Sequence, residues 1–195
     1  AFWLVAAVCH PDAEIHLPGV GVNPTRIGAL TVLKKMGADI SLYNHRESAG
    51  EPIADIVARS SSLQGTEIGG DIVPLLLDEI PVLAVAAAMA TGTTQITNAA
   101  ELRVKESDRI EATASWLTKA GVECEEIDDG LAIHGMGSIS GGAFDSRGDH
   151  RIAMALGTVG LVAEGPVLIN DSEVAAISYP TFWSDLSQII DGNAS

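Results

Sequence analysis

The segment DRIEATASWLTKAGVECEEIDDGLAIHG, Asp108 to Gly135, changes its hydrophobic period partway along. Ile110, Ala114, Leu117 and Ala120 recur at the 3, 4, 7 spacing of one helical face. Gly121 follows, where a left-handed helix stop belongs. VECEEI and LAIHG then alternate about Asp128-Asp129-Gly130, a hairpin signal. The stretch therefore reads as an amphipathic helix feeding an antiparallel strand pair.

Working outward, the same order of elements appears three times. Ahead of the segment stand IPVLAVAAAMATG, an Ala-rich apolar helix, and TTQITNAAELRVKES, a short strand and a loop. Upstream, AFWLVAAVCHPDA, EIHLPGVGVNP and TRIGALTVLKKMGADISLYN repeat the pattern, with Ile27, Leu30, Leu33 and Met36 on the helix face and Gly37 as its stop. Downstream come HRIAMALGTVGLVAEG, PVLINDSEVAAISYP and TFWSDLSQII. Recurrence of one unit predicts three units, at about 1–71, 72–137 and 138–195, packed around a pseudo-symmetry axis. An ordinary α/β domain with chance similarity is the plainer alternative. AFWLVAAVC has no polar leader or cap residue ahead of it, so the chain reads as starting inside an element with an upstream part absent. It also lacks the basic flank and cleavage pattern of a signal peptide.

Composition narrows the function classes. Hydrophobic residues make up 47% of the 195 and charged residues only 19%, which argues against disorder. With 26 acidic side chains against 11 Lys and Arg, the net charge of −15 excludes general binding to nucleic acid, which needs a positive face. A small anion requires only a local reversal of sign. Cys9 and Cys124 lie in apolar settings and read as free, buried thiols, and no metal-ligand spacing joins them to the five His residues. The uncharged run from Ile80 to Thr94 is too short and too rich in Ala and Thr to span a bilayer.

Three charged segments stand at or near helix starts. In ELRVKESDRI, Glu101 to Ile110, Arg103, Lys105 and Arg109 alternate with Glu101, Glu106 and Asp108. A helix N-terminus attracts anions, so Asp108 suits it and Arg109 opposes it. Arg109 is either a surface partner of Glu106 or Glu111, or a functional cation. In FDSRGDHRIAMALG, Asp149 is the natural N-cap, with His150 and Arg151 in the first turn. Arg151 is either solvated or a fork for carboxylate or phosphate. In LLLDEIPVLAVAAAMA, Asp78 and Glu79 interrupt an apolar run, with Pro81 in the first turn. Glu79 reads as a helix-start acid, and Asp78 is also placed to serve as a base. If the units surround an axis, these helix starts converge into a positive focus for a ligand carrying phosphate and carboxylate.

LLLDEIPVLAVAAAMATG, AELRVKESDRI and GDHRIAMALG, in this order, resemble the C-terminal half of the 5-enolpyruvylshikimate-3-phosphate synthase family, and SYPTF near Tyr179 extends the likeness over nearly the whole chain. The resemblance implies an inside-out α/β barrel domain built from βαβαββ units, one of two such domains around a cleft. It implies transfer of the enolpyruvyl group of phosphoenolpyruvate to the 5-hydroxyl of shikimate 3-phosphate, with release of phosphate and with neither metal nor organic cofactor. By the same resemblance Asp78 holds and deprotonates the shikimate hydroxyl, Lys105 contacts shikimate 3-phosphate, and Glu106 exchanges the proton at the methylene carbon. Arg109 and Arg151 grip phosphoenolpyruvate, and His150 lines that pocket. A bacterial member would be cytoplasmic and a plant member plastidic. Two departures stand out: Ile177 occupies a position where some members carry a lysine touching phosphoenolpyruvate, which bears on the response to its mimic glyphosate, and Glu101 stands where some have Asn. Members are roughly twice as long, so the N-terminal domain, with most of the shikimate phosphate contacts, is expected to be the missing partner and this chain alone to be inactive. A non-catalytic module for small anions or for pairing with another chain, and the related transferase acting on UDP-N-acetylglucosamine, are the competing readings.

Overall fold

A computed structural model describes residues 1–192; the last three residues of the stretch expected as a third unit, 138–195, lie outside the described residues. The order begins with α1 (Phe2–Cys9), β1 (Glu14–Gly21), α2 (Gly28–Lys35), β2 (Asp39–Ser48) and β3 (Glu51–Arg59). It continues with β4 (Glu67–Ile68), α3 (Ile80–Met89), β5 (Thr91–Ile96), α4 (Arg109–Lys119), β6 (Glu123–Ile127) and β7 (Gly130–Met136). β8 (Ser140–Asp145), α5 (His150–Val162), β9 (Glu164–Asn170) and α6 (Phe182–Ile190) complete it, and short 3-10 turns precede α3, α4 and α6.

Hydrogen bonding shows the repeat. One sheet runs β1-β3-β2 and a second β4-β5-β7-β6, so the strand following the Ala-rich helix pairs with the second hairpin strand in both, β1 with β3 and β5 with β7, and β5 has β4 on its other side. β4 pairs parallel with β5 across α3, and β8 parallel with β9 across α5, while the hairpin strands pair antiparallel. The run β4-α3-β5-α4-β6-β7 is a complete βαβαββ unit. β4 falls on the N-terminal side of a division at residue 71, yet its partner is β5, because the parallel crossover needs a strand on each side of the helix.

The Ala-rich helices α1, α3 and α5 pack on one another at the centre. Every residue of α3 from Ile80 to Ala88 is buried, and so is nearly all of α1. A helix that is apolar all round has no solvent face to offer and must be enclosed. The amphipathic α2 and α4 lie further out, and the antiparallel sheets form walls with one face wet, as along β2. Helices inside and strands outside make the inside-out barrel arrangement.

Both amphipathic helices end in the same way. Gly37 and Gly121 take positive φ of 94° and 82°. The next amides, Ala38 and Val122, reach back to the carbonyls of Leu33 and Leu117, the Schellman closure. On α4 the buried face holds Ile110, Leu117 and Ala120 as the spacing predicts. Ala112, Thr113 and Trp116 are buried with them, and Ala114 sits only half-buried at the flank. The face is wider than a minimal 3, 4, 7 stripe because α4 is covered by both α3 and the strands β6, β7 and β8. Cys9 is buried as expected, but Cys124 is only half-buried because β6 is an edge strand.

Candidate functional site

The starts of α3, α4 and α5 converge, as the repeat predicts, and their centre is Arg109. Its side chain is 1% exposed, so it is not the surface partner that its sequence neighbours allow. Its Nε donates to Asp149 Oδ2 at 2.8 Å, Nη1 to Asp78 Oδ1 at 2.9 Å, and Nη2 to Glu106 Oε2 at 2.7 Å and to Asp149 Oδ1 at 3.3 Å. Glu111, its other sequence neighbour, pairs instead with Arg147. Burial works against the Arg109 charge, but Asp149, Glu106 and Asp78 outweigh it and hold the guanidinium pKa above the ordinary arginine value.

Asp149 is the hidden member of this group. It is the N-cap of α5, accepting from the Arg151 amide at 2.8 Å, and it also accepts from Ser107 Oγ at 3.0 Å. It is fully buried, which disfavours its charge, yet Arg109 and these donors keep its carboxyl below the usual range. One carboxylate thus ties the start of α4 to the start of α5. Sequence reading identified its cap role but not its bond to Arg109. The only local signal was an Asp cap ahead of a helix that otherwise carries its charges in its first turn.

Asp78 lies in the 3-10 turn before α3 and is clasped between two arginines. Its Oδ1 takes Arg109, and its Oδ2 is 3.7 Å from Arg151 Nη2. Glu79 stands at the N-cap position but caps nothing; instead its Oε1 lies 3.6 Å from Arg151 Nη1. Arg151 Nε and His150 Nδ1 are buried without a hydrogen-bond partner among the described residues. The positive focus expected at this end is masked: Asp78, Glu79, Glu106 and Asp149 are four carboxylates set against two guanidiniums.

Lys105 stands apart from that group. Its Nζ is 2.6 Å from Glu101 Oε1, a pair one helical turn apart in sequence. Arg103 anchors the loop that carries both Lys105 and Glu106. It donates to the carbonyls of Ile127 and Asp128 and to the carboxylates of Asp108 and Glu126, fastening the loop to the β6–β7 turn. Asp108, expected in the first turn of α4, is its N-cap and accepts from the Glu111 amide at 3.0 Å. Ile177 is exposed, while the half-buried Tyr179 packs edge-on to Trp3 and Phe182 against the core. A surface pocket of about 440 Å³ between α4 and the end of β8 shares no residue with the arginine group. No group of three or more potential metal ligands is present among the described residues. No described helix is long and apolar enough to cross a membrane.

A helix-cored repeat with charged helix starts gathered at one end defines a domain of the enolpyruvyl-transferase fold. EPSP synthase from Acinetobacter baumannii superposes with a TM-score of 0.91 at 44% identity, covering 96% of this chain and 44% of that one. The family model for EPSP synthase (3-phosphoshikimate 1-carboxyvinyltransferase) matches residues 1–186, and the chain belongs to that family. Relatives named 3-phosphoshikimate 1-carboxyvinyltransferase include one from Herpetosiphon aurantiacus, 54% identical over 188 residues, which are 96% of this chain and 44% of the relative. Another, from Synechocystis, is 55% identical over 192 residues, 98% of this chain and 43% of the relative. The chain therefore spans less than half the length of the curated relatives it matches.

Proposed function

We propose that this chain supplies the C-terminal domain of a 3-phosphoshikimate 1-carboxyvinyltransferase, built from three units at about 1–71, 72–137 and 138–195. In this reading it works with an N-terminal domain equivalent to the part of the relatives that it does not cover. The observation that carries the reading is Asp78 held between Arg109 and Arg151: a carboxylate already occupies the place between two guanidiniums that the carboxylate of phosphoenolpyruvate would take.

Each residue then has a task. Arg109 and Arg151 receive phosphoenolpyruvate, and the partly exposed Arg151 side chain is held only by long contacts of 3.7 Å to Asp78 and 3.6 Å to Glu79. His150 lines the same pocket. Asp78 takes the proton of the shikimate 5-hydroxyl as the oxygen attacks. Glu106, on the other terminal nitrogen of Arg109, exchanges the proton at the methylene carbon. Lys105 leaves Glu101 to meet shikimate 3-phosphate. The bonds of Arg103 and Asp149 support the reading by holding the loop and both helix starts in place. Bacterial relatives favour a cytoplasmic location.

The test is phosphate release from phosphoenolpyruvate that depends on shikimate 3-phosphate. It is measured with the chain alone and with a separately produced N-terminal half of the Synechocystis relative. Release only in the mixture is the expected outcome. Steady turnover by the chain alone would end the dependence on a second domain. A folded chain silent in both, with no titratable binding of phosphoenolpyruvate, would end the catalytic reading. Activity with UDP-N-acetylglucosamine in place of shikimate 3-phosphate would move the chain to the related transferase.

A further inference from the structure

We propose that Asp78 and Glu106 are tethered competitors for the anion seat of Arg109, so that a ligand carboxylate must displace them in order to bind. The contacts themselves stand without the catalytic reading, but the meaning of the release rests on it.

Arg109 has no idle nitrogen. Nε is held by Asp149, Nη1 by Asp78, and Nη2 by Glu106 with a longer bond to Asp149. The three acids are not equivalent. Asp149 is fully buried, so leaving Arg109 would strand its charge without solvent. The side chains of Asp78 and Glu106 are 48% and 51% exposed, so water can take them up when they let go. They are the exchangeable partners, and Asp149 is the fixed one.

Two consequences follow. Anion affinity is the difference between what the ligand gains and what two attached carboxylates already supply, and attachment gives them a high effective concentration. A weak monoanion is therefore rejected. A ligand that also brings a second anionic group to Arg151 is favoured, because the Arg151 side chain is partly exposed and its Nη2 is only 3.7 Å from the departing Asp78. Secondly, Asp78 and Glu106 are freed from Arg109 only once the anion is seated. The two groups assigned to proton transfer are thus held in reserve until the site is loaded.

The test is a calorimetric titration of the chain with 2-phosphoglycolate, which carries a carboxylate and a phosphate but has no enolpyruvyl group. Glu106→Gln and Asp78→Asn are each expected to bind it about 10-fold more tightly than the parent, the scale of one charge-assisted hydrogen bond no longer competing. Glu111→Gln, which removes a charge from α4 that pairs with Arg147 rather than Arg109, is expected to leave affinity unchanged. Circular dichroism verifies that every variant is folded. Equal or weaker binding in both variants, an equal gain in Glu111→Gln, or no binding by any of the proteins would overturn the proposal. A gain in one variant alone would remove the other residue from it. Tightening of 2-phosphoglycolate together with a silent reassembled enzyme would keep the competition and sink the catalytic reading. Normal turnover without tightening would do the reverse.

Discussion

Arg109 and Asp149 are a buried ion pair, with side chains 1% and 0% exposed, so solvent does little to screen them. Removing one partner strands the other. Arg109→Ala is expected to cost about 3–5 kcal/mol of unfolding free energy, measured by urea denaturation, because Asp149 keeps a charge with no counterion. A loss below about 1 kcal/mol would mean that water reaches Asp149 and that the pair behaves like a surface one. Asp78 makes a different prediction because it is half exposed: Asp78→Asn should keep the fold while lowering turnover of the reassembled enzyme about 100-fold or more. Turnover within roughly threefold of the parent would leave Asp78 as a partner of the arginines and nothing more. The thiol of Cys9, by contrast, is pushed up to about 12 by burial and takes no part in this chemistry.

At the scale of elements, two contacts hold strands in register. Asp55 on β3 accepts from the Gly19 amide at the β1 bulge and from Asn44 and Arg46 at the β2 bulge. The Asn44 bond first, then the Gly19 amide and Arg46, lower its pKa from 3.8 to about 2. A carboxylate depressed by folding stabilises the protein above its unfolded pKa and loses that contribution as pH falls through the folded one. The melting-temperature gap between parent and Asp55→Asn should therefore be constant near neutrality, narrow below pH 3.8 and close near pH 2. A gap unchanged at low pH would mean that it does not come from a carboxylate depressed by folding, and no gap near neutrality would mean that the amide replaces the carboxylate fully. Gly130 opens β7, and a Cβ there would lie 1.9 Å from the Ile96 carbonyl oxygen on the paired β5. Its φ is not in the left-handed region, so the Asp-Gly signal marks the hairpin for a reason other than turn conformation. Gly130→Ala is expected to cost about 1–3 kcal/mol or more through backbone displacement, read by thermal unfolding. It should also lower activity of the reassembled enzyme, because Arg103 binds the adjoining turn. A neutral effect on both would mean that the β5–β7 pair yields easily.

For the whole molecule, the decisive feature is the shared centre. α1, α3 and α5, which lie in the three proposed units, pack against one another, so the Ala-rich helices share one core. Unfolding is expected to be a single transition. Trp3 and Trp183 report on the aromatic cluster joining the two ends of the chain, Trp116 reports on α4, and far-UV circular dichroism reports on all helices. Their denaturation curves should superimpose. Displaced midpoints would mean that the units melt separately, as in a linear repeat. The same enclosure explains the small side chains: Ala84, Ala86, Ala87 and Ala88 are each 0% exposed, leaving no room for larger ones.

The sequence by itself determined what depends on neighbours along the chain. The helix faces at Ile110, Leu117 and Ala120, the stops at Gly37 and Gly121, the Asp149 cap and the order of elements were all legible, because periodicity and capping act within a few residues. The resemblance carried by RVKESDR and DHR added the family. Only the tertiary structure decided the state of the site. It buried Arg109, joined it to Asp78 and Asp149 across 31 and 40 residues, directed Lys105 to Glu101, and left Glu79 without a cap bond. It also showed that Gly130 answers to the Ile96 carbonyl and not to its own turn. The reason is physical: the energy of a buried charge depends on its distance to other charges and on the water it has lost. Both are fixed by which helix starts meet at the centre, and spacing along the chain specifies neither.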